Sequence, residues 1–217
     1  MVHVSLDEAA RGGLKVLCLG SHSDDIEIGC GGTILRLAEQ YPGCIFHWVV
    51  LSAAGVRGKE AQCAAVHFTR AGQLIGPTLK TFPDGFLPFM GAEVKAVFEE
   101  LKNEISPDLI FTHNRKDAHQ DHRTVAELTW NTFRNHLIME YEIPKYDGDL
   151  GQPNLFVPLE QDVYPKKVQF IMDIFQSQRS KHWFQPETFL SLMRLRGMEC
   201  NAPSGYAEAF YCRKVVL

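Results

Sequence analysis

The sequence predicts an α/β protein: a Rossmann-like parallel sheet with helices on both faces and a C-terminal cap region. Three observations lead there. Short apolar runs of strand length alternate with longer segments of helical period. The runs are apolar along their whole length, as strands buried on both faces are. Two of them end in clusters of histidine and aspartate, at the carboxyl end of a strand, where open α/β sheets bind their ligands.

Taken in order, Leu14–Leu19 is the first strand, and Gly20 and Ser21 end it. Ile34, Leu35 and Ala38 recur at helical spacing across Gly31–Gln40, and Pro42-Gly43 stops that helix. Cys44–Ser52 reads as a second buried strand and Ala53–Lys59 as a loop punctuated by Gly55 and Gly58. Glu60–Gly76 is expected as a helix with Ala64, Ala65, Phe68, Ala71 and Leu74 inward, then Thr78–Phe82 as a short strand. Pro83–Pro88 is rich in turn formers. Val94, Val97, Phe98 and Leu101 give Ala92–Ile105 one apolar face, and Ser106-Pro-Asp108 ends it. Leu109–Thr112 is the fourth strand and Arg123–His136 the helix after it. Beyond the turn-rich stretch 146–153, a strand is expected at Asn154–Pro158 and helices at Tyr164–Gln176 and within Gln178–Arg196. Tyr206–Val216 reads as a last strand. The whole chain, 1–217, is expected to be one domain, with residues from about 140 onward forming the cap.

Composition excludes several classes. At 217 residues the chain suits one domain with a full core. A net charge of −4 gives no general attraction to nucleic acid. No run reaches the roughly 18 apolar residues of a membrane span, so no membrane partner is expected. The first eight residues lack the basic-then-apolar order of a signal peptide. Six cysteines are scattered without paired metal spacing, in keeping with a reducing cytoplasm.

The chemistry is concentrated in His22-Ser-Asp-Asp25 and Asp117-Ala-His-Gln-Asp-His122. An isolated Asp-Asp after a strand is usually a helix cap, and a lone His-x-x-His is usually a surface feature. Two such clusters at equivalent ends of parallel strands are harder to dismiss. A catalytic zinc site needs three protein ligands and one open position. His22, Asp25 and His122 would supply two imidazoles and a carboxylate. Asp24 is then beside the ion as a general base. His119, as an imidazolium, would stabilise an oxyanion, with Asp121 or Asp117 holding its ring. Arg57 and Asp84 are candidates for substrate binding. His3, His47, His67, His136 and His182 read as surface or packed residues.

Ser21-His-Ser-Asp-Asp25 with Gly29-x-Gly-Gly32, and His113-x-x-x-Asp117-x-His119-x-Asp121-His122, resemble the two motifs of the LmbE/PIG-L deacetylases. The ending Tyr206-Ala-Glu-Ala-Phe210 is similar to one common in that family. The resemblance implies a zinc-dependent hydrolase that removes acetyl groups from N-acetylated amino sugars or their conjugates. It implies His22, Asp25 and His122 as metal ligands, Asp24 as base and His119 as oxyanion or leaving-group partner, with Fe2+ or Co2+ as other ions the site would take. Ser23 and Gln120 stand where the family usually has proline, at positions that ligate nothing. The loop after the second strand, Ser52-Ala-Ala-Gly55-Val-Arg57, lacks the Thr-x-Gly-Glu often found there.

A nucleotide-binding reading of Gly29-Cys-Gly-Gly32 fails. His22–Asp25 intervenes between strand and glycines, and two carboxylates there would repel a pyrophosphate. A non-catalytic sugar- or metal-binding protein would not need Asp24 and His119. A phosphoester hydrolase is a third alternative, which a single His₂Asp site with an adjacent base suits less well than acyl hydrolysis. The expected partner is a small N-acetylated sugar; a homo-oligomer whose neighbouring subunit lines the pocket is compatible with the sequence.

Overall fold

The computed structural model describes residues 3–216. A short helix α1 (Asp7–Ala10) precedes β1 (Lys15–His22), α2 (Asp25–Gln40), β2 (Ile45–Ser52), α3 (Gly55–Phe68) and β3 (Gln73–Leu79). A 3₁₀ turn at Leu87–Met90 leads into α4 (Gly91–Glu104), β4 (Leu109–His113), α5 (Gln120–Thr132) and β5 (Leu137–Tyr141). The last third supplies β6 (Leu155–Pro158), α6 (Val163–Ile174), α7 (Pro186–Glu199) and β7 (Ala207–Cys212). The strands form one seven-stranded sheet in the order β3-β2-β1-β4-β5-β7-β6. β1 to β5 are parallel to one another, whereas β7 runs antiparallel between β5 and β6.

Strand side chains alternate between two cores. On one face Val16, Cys18, Phe46, Trp48 and Phe111 meet α2, α3 and α6. On the other, Leu17, Leu19, Val49, Leu51 and Ile110 meet Val94, Val97, Phe98 and Leu101 of α4 and Val125 of α5. The central strands are thus apolar on both sides, as their sequence implied. Among the described residues no helix is long and apolar enough to cross a membrane.

Four local expectations are corrected. Only Ala53 and Ala54 of the loop expected at Ala53–Lys59 are non-helical; α3 begins at Gly55, so Arg57 is helical. Gly58 marks a close approach rather than a loop: a Cβ there would lie 2.4 Å from the Ala53 carbonyl oxygen. The helix expected to reach Gly76 ends at Phe68, and Leu74 and Ile75 belong to β3, in register with Phe46 and His47. A short apolar run fits either period, and pairing with β2 decides it. The helix before His136 ends at Thr132, and Leu137–Tyr141, not recognised as a strand, is β5. Finally, the sheet is parallel only as far as β5; the last third adds two antiparallel strands at that edge besides covering helices.

The glycines of Gly29-Cys-Gly-Gly32 lie inside α2 and serve packing. A Cβ on Gly29 would meet the buried Tyr141 ring at 2.2 Å, on Gly31 the Phe68 ring at 2.6 Å, and on Gly32 Leu159 at 2.6 Å. Tyr141 cannot easily yield, because its hydroxyl donates to the Leu19 carbonyl at 2.7 Å. In a helix interior alanine is favoured over glycine by about 1 kcal/mol, so overpacking and propensity oppose each other. We expect overpacking to win: Gly29→Ala should lower unfolding stability by about 1–3 kcal/mol. Gly12→Ala, where nothing lies within 4 Å, should stay within about 0.5 kcal/mol of the parent. Urea unfolding midpoints of the two variants check this.

Candidate metal centre

β1 and β4 are adjacent and parallel, with β2 and β3 on one side and β5 on the other. The strand order therefore reverses at β1, and the crevice beyond the β1 and β4 carboxyl ends is the switch point of the sheet. His22 is the last residue of β1, Asp24 the N-cap of α2 and Asp25 its first residue. His113 ends β4, while His119 caps α5, whose first turn carries Asp121 and His122. Neighbouring parallel strands thus bring together clusters distant in sequence.

His22, Asp25 and His122 converge. His122 Nε2 lies 3.3 Å from His22 Nδ1, Asp25 Oδ2 3.4 Å from His22 Nδ1, and Asp25 Oδ1 3.5 Å from His122 Nε2. The far side of each ring is held by a carboxylate. His122 Nδ1 donates to Asp117 Oδ2 at 3.0 Å, and His22 Nε2 faces Asp121 Oδ2 at 3.2 Å and Asp84 Oδ1 at 3.1 Å. Ionised carboxylates only accept, so those ring nitrogens carry the protons. In the neutral rings, the two nitrogens left are lone pairs aimed at each other and at a carboxylate.

Such a triangle needs positive charge at its centre. Atoms bound tetrahedrally to an ion at about 2.0–2.1 Å lie about 3.3 Å from one another, the separation of His22 Nδ1 and His122 Nε2, with one Asp25 oxygen 3.4 Å from the first and the other oxygen 3.5 Å from the second. The electrostatics agree. Burial works against protonated rings, yet Asp25 and the carboxylates behind them raise His22 well above the ordinary imidazole range and His122 to about 9. Burial likewise opposes an ionised Asp25, and His122, His113 and His22 hold its pKa well below the usual carboxylate value. The donor set fits a divalent ion, with the ring-to-carboxylate contacts that orient metal-bound histidines. Two other groupings, His22 with Asp84 and His119, and His113 with Asp117 and His122, fit less well. The first relies on the exposed Asp84, and in the second His122 Nδ1 is already engaged by Asp117.

Although Asp24 occupies the N-cap position of α2, its side chain makes no capping bond and instead accepts Arg57 NH2 at 2.7 Å. Burial raises its pKa, Arg57 lowers it, and the neighbouring Asp25 raises it, with a net rise. Arg57 lies 3.9 Å from Glu60 and over the Phe175 ring at 6.0 Å. It faces Asp24 rather than standing free in a loop, and its removal would not be a surface change.

His119 also departs from expectation. Neither Asp121 nor Asp117 holds its ring; they hold His22 and His122. Asp117 touches His119 only at its backbone N–H, at 2.8 Å, and His119 Nδ1 accepts the Asp121 N–H at 3.2 Å. Nε2 therefore carries the ring proton. Burial and the charges of His122 and His22 lower the pKa, favouring a neutral imidazole over the imidazolium expected from sequence. Asp121 in turn accepts the N–H groups of Gly85 at 2.7 Å and Leu87 at 3.1 Å. Asp84 stands at the rim, its side chain 78% exposed, beside His22.

His113 and Lys145 had no role in the sequence reading. The His113 ring is fully buried, stacked on His122 at 3.9 Å between centroids, with Nε2 3.0 Å from the Ser21 amide and 3.2 Å from Asp25 Oδ2. Burial lowers its pKa to about 4. Lys145 Nζ donates to Asp117 Oδ2 at 2.9 Å. His113 could have been found from its place in the second motif; nothing local marks Lys145.

The family model described as PIG-L, GlcNAc-PI de-N-acetylase, matches residues 17–133. An uncharacterized deacetylase of Escherichia coli (strain K12), YaiS, is 27% identical over 163 residues, covering 70% of this chain and 86% of that protein. The N,N'-diacetylchitobiose deacetylase from Pyrococcus horikoshii has a similar structure, with a TM-score of 0.73 and 21% identity over 96% of this chain and 87% of that one. GalB, the 4-carboxy-2-hydroxymuconate hydratase from Pseudomonas putida KT2440, also shares the fold, with a TM-score of 0.66 and 18% identity over 94% and 98% of the two chains. A deacetylase and a hydratase on one fold mean that fold alone does not choose the reaction.

Removing Arg57 would strand the buried Asp24 carboxylate without its charged partner. Arg57→Ala should therefore cost about 1.5–3 kcal/mol of unfolding stability, more than a solvated arginine would. Denaturant unfolding at neutral pH measures it.

Proposed function

The chain belongs to the PIG-L family, and on that premise we propose that it is a metal-dependent deacetylase of an N-acetylated amino sugar or sugar conjugate. The observation carrying this reading is the convergence of two imidazole nitrogens and a carboxylate beside a separate buried carboxylate, Asp24. A pure binding site has no use for that second carboxylate. The name of the family and the chitobiose deacetylase's likeness support an acetamido sugar as substrate.

In this reading His22, Asp25 and His122 hold the ion, zinc by the chemistry of the donors, with Fe2+ or Co2+ as alternatives. The bound ion supplies Lewis-acid activation of water and of the amide carbonyl. Asp24 takes the proton released as water attacks, its raised pKa suiting it to pass that proton to the departing amine. His119 offers its Nε2–H to the oxyanion, a role a neutral imidazole fills. Asp117 and Asp121 fix the rings of His122 and His22. Asp84, at the rim, meets sugar hydroxyls. Arg57 acts through Asp24, holding its carboxylate in place, rather than by gripping substrate.

Acetate release from a panel of N-acetylated sugars, sugar nucleotides and glycosides, by protein reconstituted with zinc, is the direct test. No release from any would count against deacetylation. His22→Ala and His122→Ala should each lose bound metal, and Asp117→Asn should weaken it about 10- to 100-fold; elemental analysis after dialysis reads both. Asp24→Asn should keep its metal while kcat falls by about 10²–10⁴. Wild-type turnover by that variant would remove Asp24 as the base.

A further inference from the structure

The last third is tied to α2 by a buried ion pair. Glu208 on β7 and Lys167 on α6 are both almost wholly buried, with Lys167 Nζ 2.6 Å from Glu208 Oε1. Glu208 makes further contacts. Oε1 accepts the backbone N–H of Gly32 at 2.8 Å, and Oε2 accepts both the N–H and the hydroxyl of Thr33 at 2.6 Å. Lys167 also donates to the Ile28 carbonyl at 2.7 Å. Ile28 and Gly32 are four residues apart, so that carbonyl and that N–H are the two halves of one helical hydrogen bond. The ion pair grips α2 from the side on both halves of a single rung. Its approach depends on a missing side chain, because a Cβ on Gly32 would stand 3.0 Å from Glu208 Oε1.

A buried ion pair is a weak source of stability, since desolvation consumes most of its attraction. Apolar residues could hold α2 against β7 as firmly, but non-directional apolar contact does not by itself tie a helix to particular backbone groups. Hydrogen bonds to named backbone groups do. Gly32 lies about 10 Å along the helix from Asp25, at 1.5 Å per residue. Fixing the helix there fixes how far Asp24 and Asp25 project beyond the end of β1.

We propose that Glu208, with Lys167, is a positioning residue for the candidate metal centre. It sets the axial position of α2 and so places Asp25 against His22 and His122, and Asp24 against Arg57. This rests on the metal-centre reading above.

Zinc affinity, read by competition with a chromogenic chelator, and circular dichroism with urea unfolding form the test. Glu208→Asp keeps the charge but withdraws the carboxylate from α2 by one methylene. Glu208→Gln with Lys167→Met leaves no unpaired buried charge. Both should fold, and both should bind zinc at least tenfold more weakly than wild type. Leu101→Ala, on α4 against the opposite face of the sheet, should lose stability with zinc affinity unchanged. Wild-type zinc affinity in either folded Glu208 variant overturns the positioning role alone, and so does an equal loss in Leu101→Ala. A wild-type protein that takes up no zinc overturns both the positioning role and the metal centre.

Discussion

Two imidazole nitrogens and a carboxylate pointing into one small volume repel one another unless a cation stands between them. The rest of the site is arranged so that this triangle survives. Asp117 and Asp121 claim the far nitrogen of each ring, which fixes both tautomer and tilt. Lys145 and two backbone amides in turn satisfy those carboxylates. The negative charge concentrated there then favours a positive occupant over three separate neutral groups.

The fold supplies the convergence at low cost. The β1 and β4 ends are neighbours in every protein with this strand order, so residues far apart in sequence need only short turns to meet. The chain also brings α2 close against the sheet. Its glycines let Tyr141 and Phe68 rings, and the Glu208 carboxylate, reach the helix backbone. The helix that carries Asp25 is thereby set by contacts from β5, α3 and β7 at once.

Much of this was legible in the sequence. Apolar runs alternating with helical period gave the strands β1, β2 and β4, and the polar clusters fell at their carboxyl ends. Element ends were less legible, because Leu74 and Ile75 satisfy both a helix and a strand until β2 selects one. β5 was hidden by placing the end of α5 four residues too late, at His136 rather than Thr132. Within the site, the residue types and the two motifs pointed to His22, Asp25 and His122. The partners of Asp24, Asp117 and Asp121 were not readable. Arg57, Lys145 and the Gly85 and Leu87 amides reach them through tertiary placement, and no spacing along the chain encodes it. Gly55 and Gly58 suggested a loop, whereas Gly58 serves a close approach inside a helix.

One carboxylate, Asp121, holds a ring nitrogen of His22 and the backbone of the Gly85–Leu87 turn together. Asp84 and the exposed Phe86 belong to the same turn. The outer wall of the crevice and the His22 ring are therefore one mechanical unit. Whatever draws the turn inward must also pull on the imidazole, and an ion seated on that imidazole must steady the turn. Were an ion to bind His22, linkage would make the exchange reciprocal: a ligand's grip on the crevice wall and the ion's grip on that ring would strengthen or weaken together.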